Sequence, residues 1–184
     1  MKALVLAVAG CFLLASGTAV ALEDPIEPPT DPEPWIADYE GVEIDLRVDW
    51  DDARACETDG IETTCYDTES EMVAALADEG LTAAPAGASG FKRLSCSSYL
   101  RLYTGTGYTG SVLALTTQYA YLNLSSYGFN NVVSSYKVGG CSAAFFDLTN
   151  GGAPQYGGAT SAYQWSTTML LGWDNRVSSV FIGA

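Results

Sequence analysis

Hydrophobic and polar positions change rhythm several times along the chain. The opening MKALVLAVAGCFLLASGTAVA is one lysine, then a nearly unbroken apolar run that ends in Ala19-Val20-Ala21. A charged start, a short apolar stretch and a small-residue finish predict a cleaved export leader at residues 1–21 and a mature chain beginning at Leu22. A competing reading takes VAGC, ending at Cys11, as a lipid-anchor site, but the apolar run continues well past it. Residues 22–40, LEDPIEPPTDPEPWIADYE, carry five prolines and seven acids, a composition that predicts extended chain with no core of its own. VEIDLRVDW then alternates with the period of a strand. CETDGIETTC reads as a loop, and TESEMVAALADEG reads as one short helix. Thr68 is its expected N-cap, Glu71 completes a capping box, Gly80 stops it, and Met72, Val73 and Leu76 form its buried side. LTAAPAGASG is a connector of small residues.

After Phe91 the texture changes to Tyr, Ser, Thr, Gly, Val and Leu, with short alternating runs such as YLRLY, SVLAL and SSYKV punctuated by glycine. That pattern predicts an all-β sandwich or barrel without a helix of ordinary length. The organisation expected is therefore a leader at 1–21, an acidic proline-rich segment at 22–40, a strand and helix appendage with its connector at 41–90, and a β domain at 91–184.

Charge sharpens this division. Twenty of the 22 acidic residues lie between positions 23 and 79, where Arg47 and Arg54 are the only basic residues, a net of −18; the chain from Gly80 onward carries +3. So acidic a region disfavours nucleic acid or an anionic membrane as partner, both being polyanions. No later stretch approaches the ~18 consecutive apolar residues that a membrane span needs. Without Cys11, four cysteines remain, an even number that suits an oxidising, extracellular compartment. Of the three pairings they allow, Cys56 with Cys65 and Cys96 with Cys141 keep each bridge within one compositional region. The chain has no histidine, which removes His-based triads, His zinc sites and imidazole bases, and bridged cysteines are not nucleophiles. No enzymatic activity is expected.

GTGYTG at residues 105–110 satisfies G-x-G-x-x-G, yet it falls between YLRLY and SVLAL rather than between a strand and a helix. A glycine-rich hairpin is the better reading. Within it, Tyr103, Tyr108 and Gly110 give an aromatic, a second aromatic five residues on, and a glycine suited to positive φ. A longer pattern occurs twice. GFNNVVSSYKV starts at Gly128, and GWDNRVSSVFI starts 44 residues later at Gly172. Average residue usage would produce one such hexamer on the order of once in ten thousand start positions, so a matched pair is not chance.

Together these motifs resemble the βγ-crystallin family over roughly residues 96–184. The resemblance implies an all-β, double Greek-key βγ-crystallin-like sandwich, here with a small N-terminal strand and helix appendage. In Ca²⁺-binding members each motif carries N/D-N/D-x-x-S/T-S, matched by Asn130, Asn131, Val132, Val133, Ser134 and Ser135, and again by Asp174, Asn175, Arg176, Val177, Ser178 and Ser179. It further implies ions shared between motifs, with side chains of Asn131, Asn175, Ser134 and Ser178 and carbonyls near Val132 and Arg176 as donors. Amide, hydroxyl and carbonyl oxygens suit a hard cation, and with Asp174 the one charged leading residue the expected Kd is ~10⁻⁴ to 10⁻³ M. The second hairpin is stretched, with Tyr156 and Gly158 as its expected aromatic and glycine. Two other functions fit the same sequence. Some secreted crystallin-like proteins that this domain resembles block metalloproteinases, which would make the loop at 148–158 the inhibitory segment. Exposed tyrosines would instead suit a cell-wall or glycan-binding module.

Overall fold

The computed structural model describes residues 33–81 and 98–183; the expected leader, Cys11, Cys96 and most of the small-residue connector lie outside them. The strands are β1 (Ile36–Tyr39), β2 (Val42–Asp45), β3 (Ala55–Thr58), β4 (Thr63–Tyr66), β5 (Leu100–Gly105), β6 (Thr109–Leu115), β7 (Tyr121–Asn123), β8 (Ser135–Lys137), β9 (Ser142–Phe146), β10 (Trp165–Ser166) and β11 (Ser179–Gly183). One α-helix, α1 (Glu69–Asp78), and two single-turn 3₁₀ segments, Leu124–Tyr127 and Thr149–Gly151, complete the described elements.

Strands β5 and β6 form a hairpin, β7 leaves for the opposite sheet, and β8 returns to pair antiparallel with β5. The second half repeats this plan. Strand β9 closes its hairpin through a bridge from Phe146 to Gln155, β10 crosses to pair with β8, and β11 returns to pair with β9. Each half thus lends its third strand to the other's sheet, giving the orders β10-β8-β5-β6 and β7-β11-β9. This is the double Greek-key sandwich that the repeat implied. Between the sheets lie Leu102, Leu113, Tyr136, Phe145, Tyr156 and Val180. Tyr136 meets Phe145 edge-on at 4.9 Å between ring centroids, and Phe145 stacks on Tyr156 at 5.7 Å, geometries that ring quadrupoles favour.

The acidic half is not a separate lobe. Strand β3 adds in parallel to the free edge of β6, with Ala55 opposite Val112 and Thr58 opposite Leu115, and β4, β1 and β2 extend the same sheet to eight strands. Two expectations change. The end of the acidic segment is strand β1, with Ala37 buried, because the β4 edge offers it backbone partners at Thr64 and Cys65. The presumed loop CETDGIETTC is the β3–β4 hairpin, turning at residues 59–62.

Helix α1 lies on the face of the extended sheet that points away from the sandwich core. It starts with the expected capping box between Thr68 and Glu71 and ends at Gly80 in a positive φ of 83°, with Leu81 N–H donating to Leu76 and Gly80 N–H to Ala77. Met72 and Leu76 are buried against Ala55, Tyr99, Tyr103, Val112 and Ala114, and Val73 packs at the margin. This explains why β5 and β6 are covered on both faces: Leu102 and Leu113 face the sandwich core while Tyr103, Val112 and Ala114 face α1. Arg101, which alternation alone would place in water, is only 6% exposed.

Cys56 and Cys65 face each other across β3 and β4 with Cα atoms 4.1 Å apart and are bridged, as the sequence suggested. Cys141 is also a disulfide cysteine; the Cys96 half of the second pairing lies outside the described residues. Replacing Cys56 and Cys65 together by serine is expected to lower unfolding free energy by about 2 to 3 kcal/mol, from lost loop constraint in the unfolded chain. Denaturant titration would check this; equal midpoints for the two proteins would mean that the hairpin is already fixed by its pairing to β6.

Candidate metal centre

The two copies of the repeated motif form two loops that cross. Val133 and Val177, at the fourth position of each hexamer, are fully buried in the core and hold the loops in register. Two residues earlier, Asn131 and Asn175 adopt left-handed backbone at φ 57° and 55°, a conformation in which asparagine is enriched. Each donates its N–H across the pseudo-symmetric centre at 3.0 Å, Asn131 to the Val177 carbonyl and Asn175 to the Val133 carbonyl. The side chains repeat the exchange. Ser178 Oγ donates to Asn131 Oδ1 at 3.0 Å, and Ser134 Oγ to Asn175 Oδ1 at 3.4 Å.

The last serine of each hexamer has a different task. Ser135 Oγ donates to the Gly105 carbonyl and accepts from Tyr108 N–H, while Ser179 Oγ donates to the Leu148 carbonyl and accepts from Gly151 N–H. Position six therefore ties each loop to its own hairpin, whereas positions two and five meet the other motif. The arrangement gathers four side-chain oxygens into two amide and hydroxyl pairs. Asn130, Asn131, Asp174 and Asn175 are exposed while Ser134 and Ser178 are buried, so each pair opens to water on one side only. Val132 and Arg176 lie between the paired positions, and their side chains are half-buried.

Arg176 is less of a threat to a cation than its sequence position suggests. Its guanidinium contacts Asp147 at 2.8 Å and lies 5.2 Å from the Trp173 ring centre. That hydrogen bond also holds the Asp147 carboxyl below its ordinary value. Asp147 lies 29 residues from Arg176, and no local spacing announces the pairing.

The hairpins differ. In the first, Tyr103 and Tyr108 pack at 5.6 Å and Gly110 takes positive φ, as expected, and Tyr108 takes positive φ as well. No helix follows residues 105–110, so the G-x-G-x-x-G match is a hairpin. In the second, the expected Tyr156 and Gly158 do not occupy the equivalent places. The turn falls at Thr149–Gly151, and Gly151 makes the serine contact that Tyr108 makes in the first motif. The missing aromatic comes from β7: Tyr121 lies 5.7 Å from Phe146, and a Cβ on Gly151 would sit 2.3 Å from the Tyr121 ring. Tyr156 instead belongs to the core, where its ring meets Trp173 at 5.2 Å. The exposed tip of the 148–158 loop is pinned to β7 by Asn123 and Asn150, which exchange two hydrogen bonds of 2.8 and 3.0 Å.

Among the described residues no three histidine, cysteine, aspartate or glutamate side chains converge on one point, and no helix is long and apolar enough to cross a membrane. The candidate donors are thus the amide, hydroxyl and carbonyl oxygens of the crossed loops.

No family model matches the chain, and no curated protein matches its sequence. Solved structures do. A βγ-crystallin from Ciona intestinalis is 25% identical over 46% of this chain and 98% of its own, with a TM-score of 0.39. A βγ-crystallin domain from Flavobacterium johnsoniae is 25% identical over 45% of this chain and 91% of its own, with a TM-score of 0.38. A βγ-crystallin domain from Clostridium beijerinckii is 19% identical over 46% of this chain and 95% of its own, with a TM-score of 0.39.

Proposed function

We propose that residues 98–183 are a βγ-crystallin-type domain of an exported protein, and that its crossed loops bind two Ca²⁺ ions weakly and are stabilised by them. The observation that carries this reading is the reciprocal pairing of Asn131 with Ser178 and Asn175 with Ser134. Each pair brings an amide oxygen and a hydroxyl oxygen from different halves of the fold to one point, with the asparagine exposed to water. Ca²⁺ accepts 6 to 8 such oxygens at 2.3–2.6 Å in flexible geometry, whereas Mg²⁺ demands a stricter octahedron and gives up water reluctantly. Asp174 is the one carboxylate at the four leading positions, which keeps the expected Kd at ~10⁻⁴ to 10⁻³ M.

Calcium would join the two halves where they already exchange hydrogen bonds, so its role is structural. Calorimetric titration of the metal-stripped protein should show about two ions bound, and Ser134→Arg with Ser178→Arg should abolish the heat. Thermal unfolding adds a second readout. At about 100 times Kd each ion should contribute ~2.7 kcal/mol to wild type, and neither should contribute to the double variant. Absence of heat from a folded wild type, with a melting temperature unmoved by calcium at about 100 times the expected Kd, would leave the repeat as a device of the fold alone.

A further inference from the structure

The two crossed loops are nearly symmetric, but their surroundings are not. Tyr127 and Phe129, which flank Gly128 at the start of the first loop, are both 2% exposed. What covers them is the acidic half. Trp35 meets Tyr127 edge-on at 4.9 Å, Trp50 packs on Phe129 at 5.2 Å, and Trp50 Nε1 donates to the Tyr127 carbonyl at 2.8 Å. Gly128 lies against the Leu46 carbonyl so closely that a Cβ there would be 2.2 Å from that oxygen. At the matching place in the second loop Leu171 is fully exposed, Gly172 has nothing within 4 Å of a Cβ position, and Trp173 is half-buried on Tyr156 of its own half.

We infer that the N-terminal appendage is part of the first metal loop, with Trp50 as a positioning residue that makes the two calcium sites unequal. This inference rests on the calcium reading above. A loop already fixed loses less conformational freedom when it closes on an ion, so the Asn131 and Ser178 site is the tighter of the two. The Asn175 and Ser134 site, whose asparagine lies on the loop without such a clamp, is the weaker. Coupling of this kind is reciprocal, so calcium in the first site must also hold residues 46–50 more firmly against the loop.

The test isolates each site. Ser134→Arg leaves the Asn131 and Ser178 site, and Ser178→Arg leaves the other; Trp50→Ala is added to each and Ca²⁺ is titrated calorimetrically. Outer contacts that orient ligands typically govern affinity by 10- to 100-fold. Trp50→Ala should therefore weaken the first site about tenfold and the second less than twofold, with Trp50→Phe, which keeps the ring and loses the Tyr127 bond, in between. Equal losses at both sites, or none at either, overturn the inference while leaving calcium binding intact. No heat from the unaltered protein removes the calcium reading and this inference with it. Hydrogen exchange on the unaltered protein covers the case in which Trp50→Ala does not fold. Saturating Ca²⁺ should slow exchange at residues 46–50, and unchanged exchange there counts against the coupling.

Discussion

Replacing Glu69 by alanine is expected to cost about 3 kcal/mol of unfolding free energy, because removing the half-buried carboxylate strands the nearly buried Arg101 charge. Glu69 opens α1, and its Oε1 accepts from Arg101 at 2.7 Å and from the Tyr103 hydroxyl at 2.6 Å, with the Lys137 ammonium 3.9 Å away. Arg101 is nearly buried, and its Nε is already without a partner. Lys137 sits among the rings of Tyr103, Tyr108 and Trp165 at 4.9, 4.4 and 5.2 Å, and burial beside Arg101 holds its pKa below the ordinary lysine value. Remove the carboxylate and two cations face each other under a helix with no anion between them. At ~2 to 4 °C per kcal/mol for a domain of this size, the melting temperature should fall by about 6 to 12 °C. Glu69→Gln, which keeps an acceptor for Tyr103 and loses the charge, should fall between. A loss under about 1 kcal/mol for Glu69→Ala in denaturant titration would mean that the cations find water or another partner and that the cluster is not a lock.

Gly128→Ala should be nearly as damaging, and Gly172→Ala should not. Both glycines take positive φ, 66° and 80°, so alanine at either suffers the left-handed backbone cost of about 1 to 2 kcal/mol. Only at Gly128 does the new methyl also meet backbone, the Leu46 carbonyl at 2.2 Å, with the Trp50 indole nitrogen at 3.1 Å. Backbone oxygen cannot swing aside as a side chain can. The segment carrying Leu46 and Trp50 must move, and the Trp50 bond to Tyr127 and its packing on Phe129 go with it. A total near 3 kcal/mol follows for Gly128→Ala against about 1 kcal/mol for Gly172→Ala. Paired chemical denaturation curves decide the matter, and equal losses would show that the appendage yields to the methyl without strain.

Much of the candidate site was legible in the chain because its information is local. A left-handed asparagine, a core valine and two serines occupy consecutive or nearly consecutive positions, and the same spacing recurs 44 residues later, so the loop conformation is written twice. The capping box and glycine stop of α1 are local for the same reason. The second hairpin was misjudged because its aromatic is supplied by Tyr121, 25 residues before Phe146 and on another strand. Proximity in sequence carries no record of such a substitution. The burial of Arg101 was hidden likewise: alternation indicates which side chains share a face, and says nothing about whether a helix will cover it.

By itself the sequence determined two β motifs of one plan, a capped helix, an acidic half distinct from a nearly neutral one, and the amide, hydroxyl and carbonyl chemistry of the repeated loops. These follow from periodicity, backbone preference and residue type, all of which act over a few neighbours. Tertiary structure alone decided that the halves exchange their third strands, that Asn131 meets Ser178 and Asn175 meets Ser134, and that β3 joins the edge of β6. It also placed Trp50 on the first loop and left the second open. An unpaired strand edge accepts any strand with suitable backbone, and an apolar ring packs against any surface that excludes water, so pattern cannot choose among such partners. The choice is made when the whole chain finds the one packing that satisfies its edges and its core together.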